Sequence, residues 1–190
     1  MTNIYFVRHA HSTYSTDEVG RPLSLRGLND ANLVANLLMH HDIDHVISSP
    51  YKRAIQTVEK VAQQFNLTIE LVEGFRERTL SEHPGSNFDE AIAKVWEEPA
   101  FSWEGGESNL VAQDRGVTSL LQVLDEWQDK NVVIGTHGNI MVLIMNYFDV
   151  KYNLAFWDQL QMPDIYQLSF EGRKLRDVKR ISEEEVLHGY

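Results

Sequence analysis

Three short segments place charged or nucleophilic side chains directly after apolar runs. Arg8-His9-Ala10-His11-Ser12 follows Ile4-Tyr5-Phe6-Val7. Ser48-Ser49-Pro50-Tyr51-Lys52-Arg53 ends a second run and opens a helical pattern. Arg53 therefore falls in a first helical turn, where an anion can be held by the helix dipole and the guanidinium together. Gly135-Thr136-His137-Gly138 follows Val132-Val133-Ile134, and its glycines let backbone and ligand approach closely. Ligands of open α/β sheets bind beyond the carboxyl ends of the strands, so the three segments are expected on one rim. Arg8, Arg53, His9 and His137 on that rim suit a dianionic phosphoryl group, because guanidinium forks pair bidentately with phosphate oxygens. A neutral imidazole accepts a phosphoryl group near neutral pH when a hydrogen bond to its other nitrogen fixes the tautomer. His9, at a strand end, is the candidate. An alkoxide leaving group also needs a proton, which calls for a carboxyl group near the departing oxygen.

The elements that must position these groups follow from hydrophobic pattern. Ile4 to Val7 and Val132 to Ile134 are apolar on both faces, as strands inside a helix-covered parallel sheet are. His45-Val46-Ile47-Ser48 and Thr68-Ile69-Glu70-Leu71 are further strand candidates. Helical spacing predicts helices over residues 24–40, 51–65, 108–128 and 139–147, with Leu33, Leu37 and Leu38 on the apolar face of the first. Alternation of strand and helix predicts a right-handed α/β fold: a three-layer sandwich with a mostly parallel central sheet and helices on both faces. Residues 165–170 and 174–178, flanking Glu171-Gly172-Arg173, read as a hairpin extending the sheet edge. Residues 1–190 read as one domain. The irregular stretch 78–106, with Pro84, Gly85, Pro99, Gly105 and Gly106 among Trp96, Phe101 and Trp103, is expected to cap the site.

Composition narrows the class of partner. The 190 residues are 43% hydrophobic, enough for one core, and include no cysteine, hence no disulfide or thiolate metal site. No apolar stretch approaches the roughly 18 residues of a spanning helix and no basic leader precedes the first strand, so a cytoplasmic location is the default expectation. With 28 acidic against 17 basic residues, the net charge of −11 opposes nucleic acid and anionic membrane surfaces as partners. It also repels small phosphate esters, so a phosphate site must be a local cluster of arginine and histidine. Composition selects no oligomeric state.

Arg8-His9-Ala10 after the first strand resembles the Arg-His-Gly/Ala signature of the histidine phosphatase superfamily, which includes the cofactor-dependent phosphoglycerate mutases. Pro22-Leu23-Ser24-Leu25-Arg26-Gly27 is similar to its Pro-Leu-Thr-x-x-Gly element. Ser48-Ser49-Pro50 through Arg53-Ala54-x-Gln56-Thr57 resembles its second arginine motif, and Gly106-Glu107-Ser108 and Thr136-His137-Gly138 follow in the family's order. The resemblance implies a phosphoglycerate mutase-like fold and a phosphomonoester hydrolase of histidine acid phosphatase type acting on a small phosphorylated metabolite. It implies His9 as nucleophile, with Arg8, Arg53, His137 and Gly138 binding the phosphoryl group. Glu77, in Phe75-Arg76-Glu77-Arg78, becomes the general acid and then the base for water, with no metal or diffusible cofactor required. Arginines on both sides favour the charged form of Glu77, so burial or substrate phosphate must counteract them. Two departures stand out. His11 replaces a common glutamate and brings a titratable charge, and Ser15 replaces an asparagine at a position expected to bind substrate. The segment between Glu77 and Gly106 is shorter than in the mutases, which favours hydrolysis.

Competing readings remain. The resemblance admits a phosphoglycerate mutase, which returns the phosphoryl group to a hydroxyl, and a phospho-ligand binding module without turnover. His9-x-His11 also fits alternate strand ligands of a metal, although no further His/Asp spacing completes a hydrolytic site. Trp96, Phe101 and Trp103 form either a substrate wall or a satellite cluster beneath a loop. Glu107 with Arg115 reads as an ion pair at a helix start or as support for the site. His40, His41, His45, His83 and His188 and the run Glu183-Glu184-Glu185 read as solvated surface.

Overall fold

The computed structural model describes residues 1–82 and 87–182. Pro84, Gly85, His83, His188 and the 183–185 acidic run lie outside the described residues. Six strands, β1 (Thr2–Arg8), β2 (His45–Ser48), β3 (Ile69–Leu71), β4 (Asn131–Thr136), β5 (Asp164–Glu171) and β6 (Lys174–Arg180), form one sheet in the order β3-β2-β4-β1-β5-β6. The pairs β3-β2, β2-β4 and β4-β1 are parallel, while β5 runs antiparallel to β1 and β6 antiparallel to β5. The expected hairpin thus caps one edge of a mostly parallel α/β sheet.

Side-chain alternation explains why the central strands read as apolar throughout. Ile4, Phe6, Val132 and Ile134 point into one core, packed against α4 (Asn109–Glu126) and α5 (Gly138–Phe148). Tyr5, Val7 and Val133 point into the other, against α1 (Leu25–Leu38) and α2 (Lys52–Gln64). Both faces are dry, as for a sheet between two helical layers. In α1 the buried stripe includes Ala31, Val34, Ala35 and Leu38, whereas Leu33 and Leu37 lie at its margin.

The described part of the stretch 78–106 is more regular than its sequence suggests. Helix α3 (Phe88–Glu97) is capped by Asn87, whose side chain accepts from the Glu90 N–H, and it buries Ile92 and Val95. Asn87 and Glu90 have capping-box spacing, obscured in sequence by prolines on both sides. A second missed helix, α6 (Leu154–Asp158), starts where Asn153 Oδ1 accepts from Ala155 and Phe156 N–H. Among the described residues no helix is long and apolar enough to cross a membrane.

Candidate active site

Strands β1, β2 and β4 end side by side, and their ladder runs past the strand ends. His9 N–H donates to the Thr136 carbonyl at 2.9 Å, and Ser49 N–H to the Gly135 carbonyl at 2.8 Å. Backbone hydrogen bonds of the sheet therefore set the start of each candidate segment.

His9 is 6% exposed, and its Nδ1 lies 2.7 Å from the Ala10 carbonyl. A carbonyl only accepts, so Nδ1 carries the proton and Nε2 presents a lone pair. Arg53 Nε donates to that Nε2 at 3.3 Å. Burial foremost, then the charges of Arg53, Arg8 and Arg21, bring the imidazole down to about 3 against the opposing pull of the Ala10 carbonyl. His9 is thus a neutral imidazole of defined tautomer, the form that phosphoryl acceptance requires. Ala10 is itself fixed, its N–H donating to Thr57 Oγ1 at 3.0 Å while the Thr57 hydroxyl donates to the Arg53 carbonyl at 2.7 Å.

Arg53 is almost fully buried. Its guanidinium donates to the Glu18 carbonyl at 2.6 Å and to Glu18 Oε2 at 3.2 Å, and lies over the Tyr51 ring at 4.9 Å. His137, with no exposed surface, places its ring edge-on to His9 at 5.2 Å between centroids and its Nε2 2.8 Å from Ser49 Oγ. Burial, with the neighbouring His9 and Arg53, holds it well below the ordinary histidine range. Arg8 donates to the Leu160 and Gln161 carbonyls at 3.0 and 3.2 Å. A Cβ at Gly138 would lie 3.0 Å from both Arg8 Nε and Trp157 Nε1, so glycine is what lets α5 begin against the arginine.

Glu77 follows a 3-10 turn, Glu73–Phe75. Its carboxylate accepts from the N–H groups of Arg78, Asn139 and Ile140 at 2.8, 3.2 and 3.0 Å, which seats it on the N-terminus of α5. The flanking arginines bond to other side chains: Arg76 to Glu107 at 3.0 Å and Arg78 to Asn109 at 3.3 Å. Arg8, His9, Arg53, Glu77 and Gly138 line one cavity of about 330 Å³, with His137 buried beside His9.

The same cavity exposes what the spacing did not show. Glu18 and Arg21 reach it from the loop after β1, which folds back through a Ser12 to Leu23 bridge and a Lys52 N–H to Val19 carbonyl bond of 2.9 Å. Glu18 spans two guanidiniums, with Oε1 3.0 Å from Arg21 and Oε2 3.2 Å from Arg53. Arg78, Asn139 and Trp157 complete the wall. Arg21 beside Pro22-Leu23, Arg78 beside Glu77 and Asn139 beside Gly138 carried positional hints, whereas Glu18 and Trp157 carried none. Ser15, in contrast, is not brought to the cavity; its hydroxyl accepts from Asp17 N–H at 3.1 Å. His11 also turns away, exposed, with Nδ1 2.8 Å from Ser24 Oγ, so it shares no ligand position with His9. Phe101 and Trp103 stack edge-on at 5.0 Å, with Trp103 Nε1 on the Ala91 carbonyl, and neither lines this cavity: they form the satellite cluster.

Residues 4–181 match the model of the histidine phosphatase superfamily, branch 1. The chain belongs to that superfamily. It is 30% identical over 152 residues to phosphoserine phosphatase 1 of Hydrogenobacter thermophilus, covering 72% of this chain and 71% of the relative. It is also 30% identical over 155 residues to phosphoglycerate mutase-like protein 4 of Arabidopsis thaliana, covering 73% and 67%. A phosphoserine phosphatase of Entamoeba histolytica, solved with phosphoserine, superposes with a TM-score of 0.78 at 20% identity over 96% of this chain and 98% of that one. A mycobacterial glucosyl-3-phosphoglycerate phosphatase gives 0.75 at 19% identity over 94% and 96%.

Two of this histidine phosphatase's remaining sequence elements brace the site. Gly27 lies where a Cβ would stand 2.0 Å from the His11 carbonyl, so α1 can pack beneath the His9 loop only with glycine there. Glu107 accepts from both Nε and Nη2 of Arg115, at 3.0 and 2.9 Å, besides Arg76. Burial opposes its charge, but Arg115 and Arg76 hold the carboxyl below the usual range. Arg115 also donates to the Gly74 and Arg76 carbonyls, tying down the turn that delivers Glu77.

Proposed function

We propose that this protein hydrolyses phosphomonoesters of small metabolites through a phosphohistidine on His9, as a hydrolase of histidine acid phosphatase type. The observation that carries the reading is the neutral His9 imidazole, with Nδ1–H fixed on the Ala10 carbonyl and the Nε2 lone pair directed to Arg53 in a cavity with four guanidiniums and two carboxylates. In this reading Arg8 and Arg53 hold the phosphoryl oxygens, and His137 and the Gly138 N–H complete the cradle. Nε2 forms the bond to phosphorus as the ester P–O bond breaks, and Glu77 delivers a proton to the departing oxygen. Water then attacks phospho-His9, losing its proton to Glu77, and phosphate leaves. Phosphatase relatives bearing phosphoserine and glucosyl-3-phosphoglycerate in their names support an ester of a small hydroxy compound. The described residues of the 78–106 segment are assigned to capping, since Leu80 and Phe88 line the cavity.

The mutase-like relative supports a second reading, transfer to another hydroxyl through the same intermediate. A non-catalytic binder would need neither the fixed tautomer nor Glu77. The test is phosphate release from p-nitrophenyl phosphate and a panel of small esters, with EDTA throughout, by wild type and His9→Ala, alongside alkaline quench of labelled enzyme. Turnover and alkali-stable label lost in the variant support hydrolysis through His9. A wild type inert with every ester refutes it, and label passing to glycerate phosphates instead of water establishes the mutase.

A further inference from the structure

A second hollow, of about 600 Å³, lies between α3 and α6. Its floor and walls are apolar: Ile92, Ala93 and Trp96 from one face of α3, Leu154 and Trp157 from α6. Trp157 is shared with the cavity of His9. Its Nε1 stands at Gly138 beside Arg8, so one indole separates the phosphoryl cradle from the groove. Phe88, the first residue of α3, also lines the His9 cavity, so α3 borders both hollows.

The charges around the groove have one sign. Asp89, Glu97 and Asp158 line it, no lysine, arginine or histidine does, and none of the three carboxylates has a salt-bridge partner among the described residues. The His9 cavity, in contrast, carries an excess of guanidinium. A ligand spanning both must be anionic at one end, apolar in the middle and cationic at the other. Resting on the phosphohydrolase reading above, we infer that the α3/α6 groove is the leaving-group subsite, and that the substrate class is phosphomonoesters whose alcohol carries an apolar or aromatic body ending in an amine. Trp96 and Trp157 offer the flat faces that such a body, or the ammonium itself, packs against.

Three phenyl phosphates that are cationic, neutral and anionic at the para position test this: the 4-aminomethyl, 4-methyl and 4-carboxy phenyl phosphates. Each groove carboxylate at roughly 6–7 Å through water changes the preference about threefold. The expected order of kcat/KM is therefore aminomethyl over methyl by about tenfold or more, with carboxy lowest. The Glu97→Gln/Asp158→Asn double variant removes two surface charges outside the His9 cavity. It should cut the aminomethyl advantage to about threefold or less with inhibition by inorganic phosphate unchanged. Ala93→Phe, filling the groove, should lower kcat/KM for the aminomethyl ester and again leave phosphate inhibition alone. Equal kcat/KM for the three esters, or an advantage that survives the double variant, overturns the subsite while leaving hydrolysis intact. Failure of wild type to cleave these and p-nitrophenyl phosphate overturns the phosphohydrolase reading with it.

Discussion

Burying two neutral imidazoles at a phosphate site makes the fold sensitive to acid, in a direction the structure dictates. His9 is held at about 3 and His137 well below the ordinary range, both chiefly by burial. In the unfolded chain each returns to about 6.5 and takes a proton below that pH, so the unfolded state binds more protons and stability falls as pH falls. For His9 the loss begins near 6.5 and continues to about 3, where the native imidazole begins to titrate. Between about pH 7.5 and 5.5 each residue should remove about 1.4 kcal/mol, and the two together just under 3 kcal/mol. The perturbations are His9→Asn, which keeps a donor toward the Ala10 carbonyl, and His137→Gln, which keeps a group toward Ser49. The measurement is urea unfolding at both pH values. Each variant should lose about 1.4 kcal/mol less than wild type over that interval, whatever its absolute stability, because the other histidines are common to all three proteins. A wild-type pH dependence that persists unchanged in both variants would show that His9 and His137 take up protons in the native state as they do in the unfolded chain, and the neutral-nucleophile reasoning would fail.

Glu18 spans Arg21 and Arg53 where phosphoryl oxygens are proposed to bind, so Glu18→Gln should strengthen inhibition by inorganic phosphate several-fold; weaker inhibition would instead make Glu18 a support for Arg53. Glu77→Gln should lower the rate at which alkyl phosphates phosphorylate His9 in single-turnover measurements by about 10²- to 10⁴-fold and that of p-nitrophenyl phosphate far less, since nitrophenolate leaves without a proton; equal losses on both substrates in this half-reaction would remove its acid role. Arg115→Met should loosen the Glu77 turn, lowering kcat for alkyl phosphates with little change in phosphate inhibition; a change confined to inhibition would place Arg115 with the phosphate instead. Gly27→Ala puts a methyl 2.0 Å from the His11 carbonyl and should destabilise the fold by about 1–3 kcal/mol in urea unfolding; an unchanged midpoint would mean that α1 shifts freely.

Much of this molecule is written locally. Strands buried on both faces announce themselves as continuous apolar runs, and this is how β1 and β4 were legible. Helices α1, α2, α4 and α5 were legible from period, and the structure adds the caps Ser24 and Ser108, which accept from Gly27 and Val111 N–H. The resemblance marked Arg8, His9, Arg53, Glu77 and His137. Helix α3 escaped because Pro84, Gly85 and Pro99 dominate a window whose decisive cap is one asparagine. Groups whose position depends on a long return of the chain left little trace in the sequence, Arg21 beside Pro22-Leu23 excepted. Glu18 and Arg21 enter the cavity through a loop folded back on α2, Trp157 arrives from α6, and Ser15 and His11 point away although both lie within six residues of His9.

The sequence by itself determined which residues have the chemistry for phosphoryl transfer and which strands carry them. Tertiary structure decided that these residues meet. Strand β4, more than 120 residues after β1, inserts between β1 and β2, and that insertion sets His137 against His9 and Ser49. It also decided the protonation state of His9, because an imidazole has one intrinsic affinity in every sequence, and only burial beside three guanidiniums with one nitrogen held by a carbonyl turns it into a neutral nucleophile.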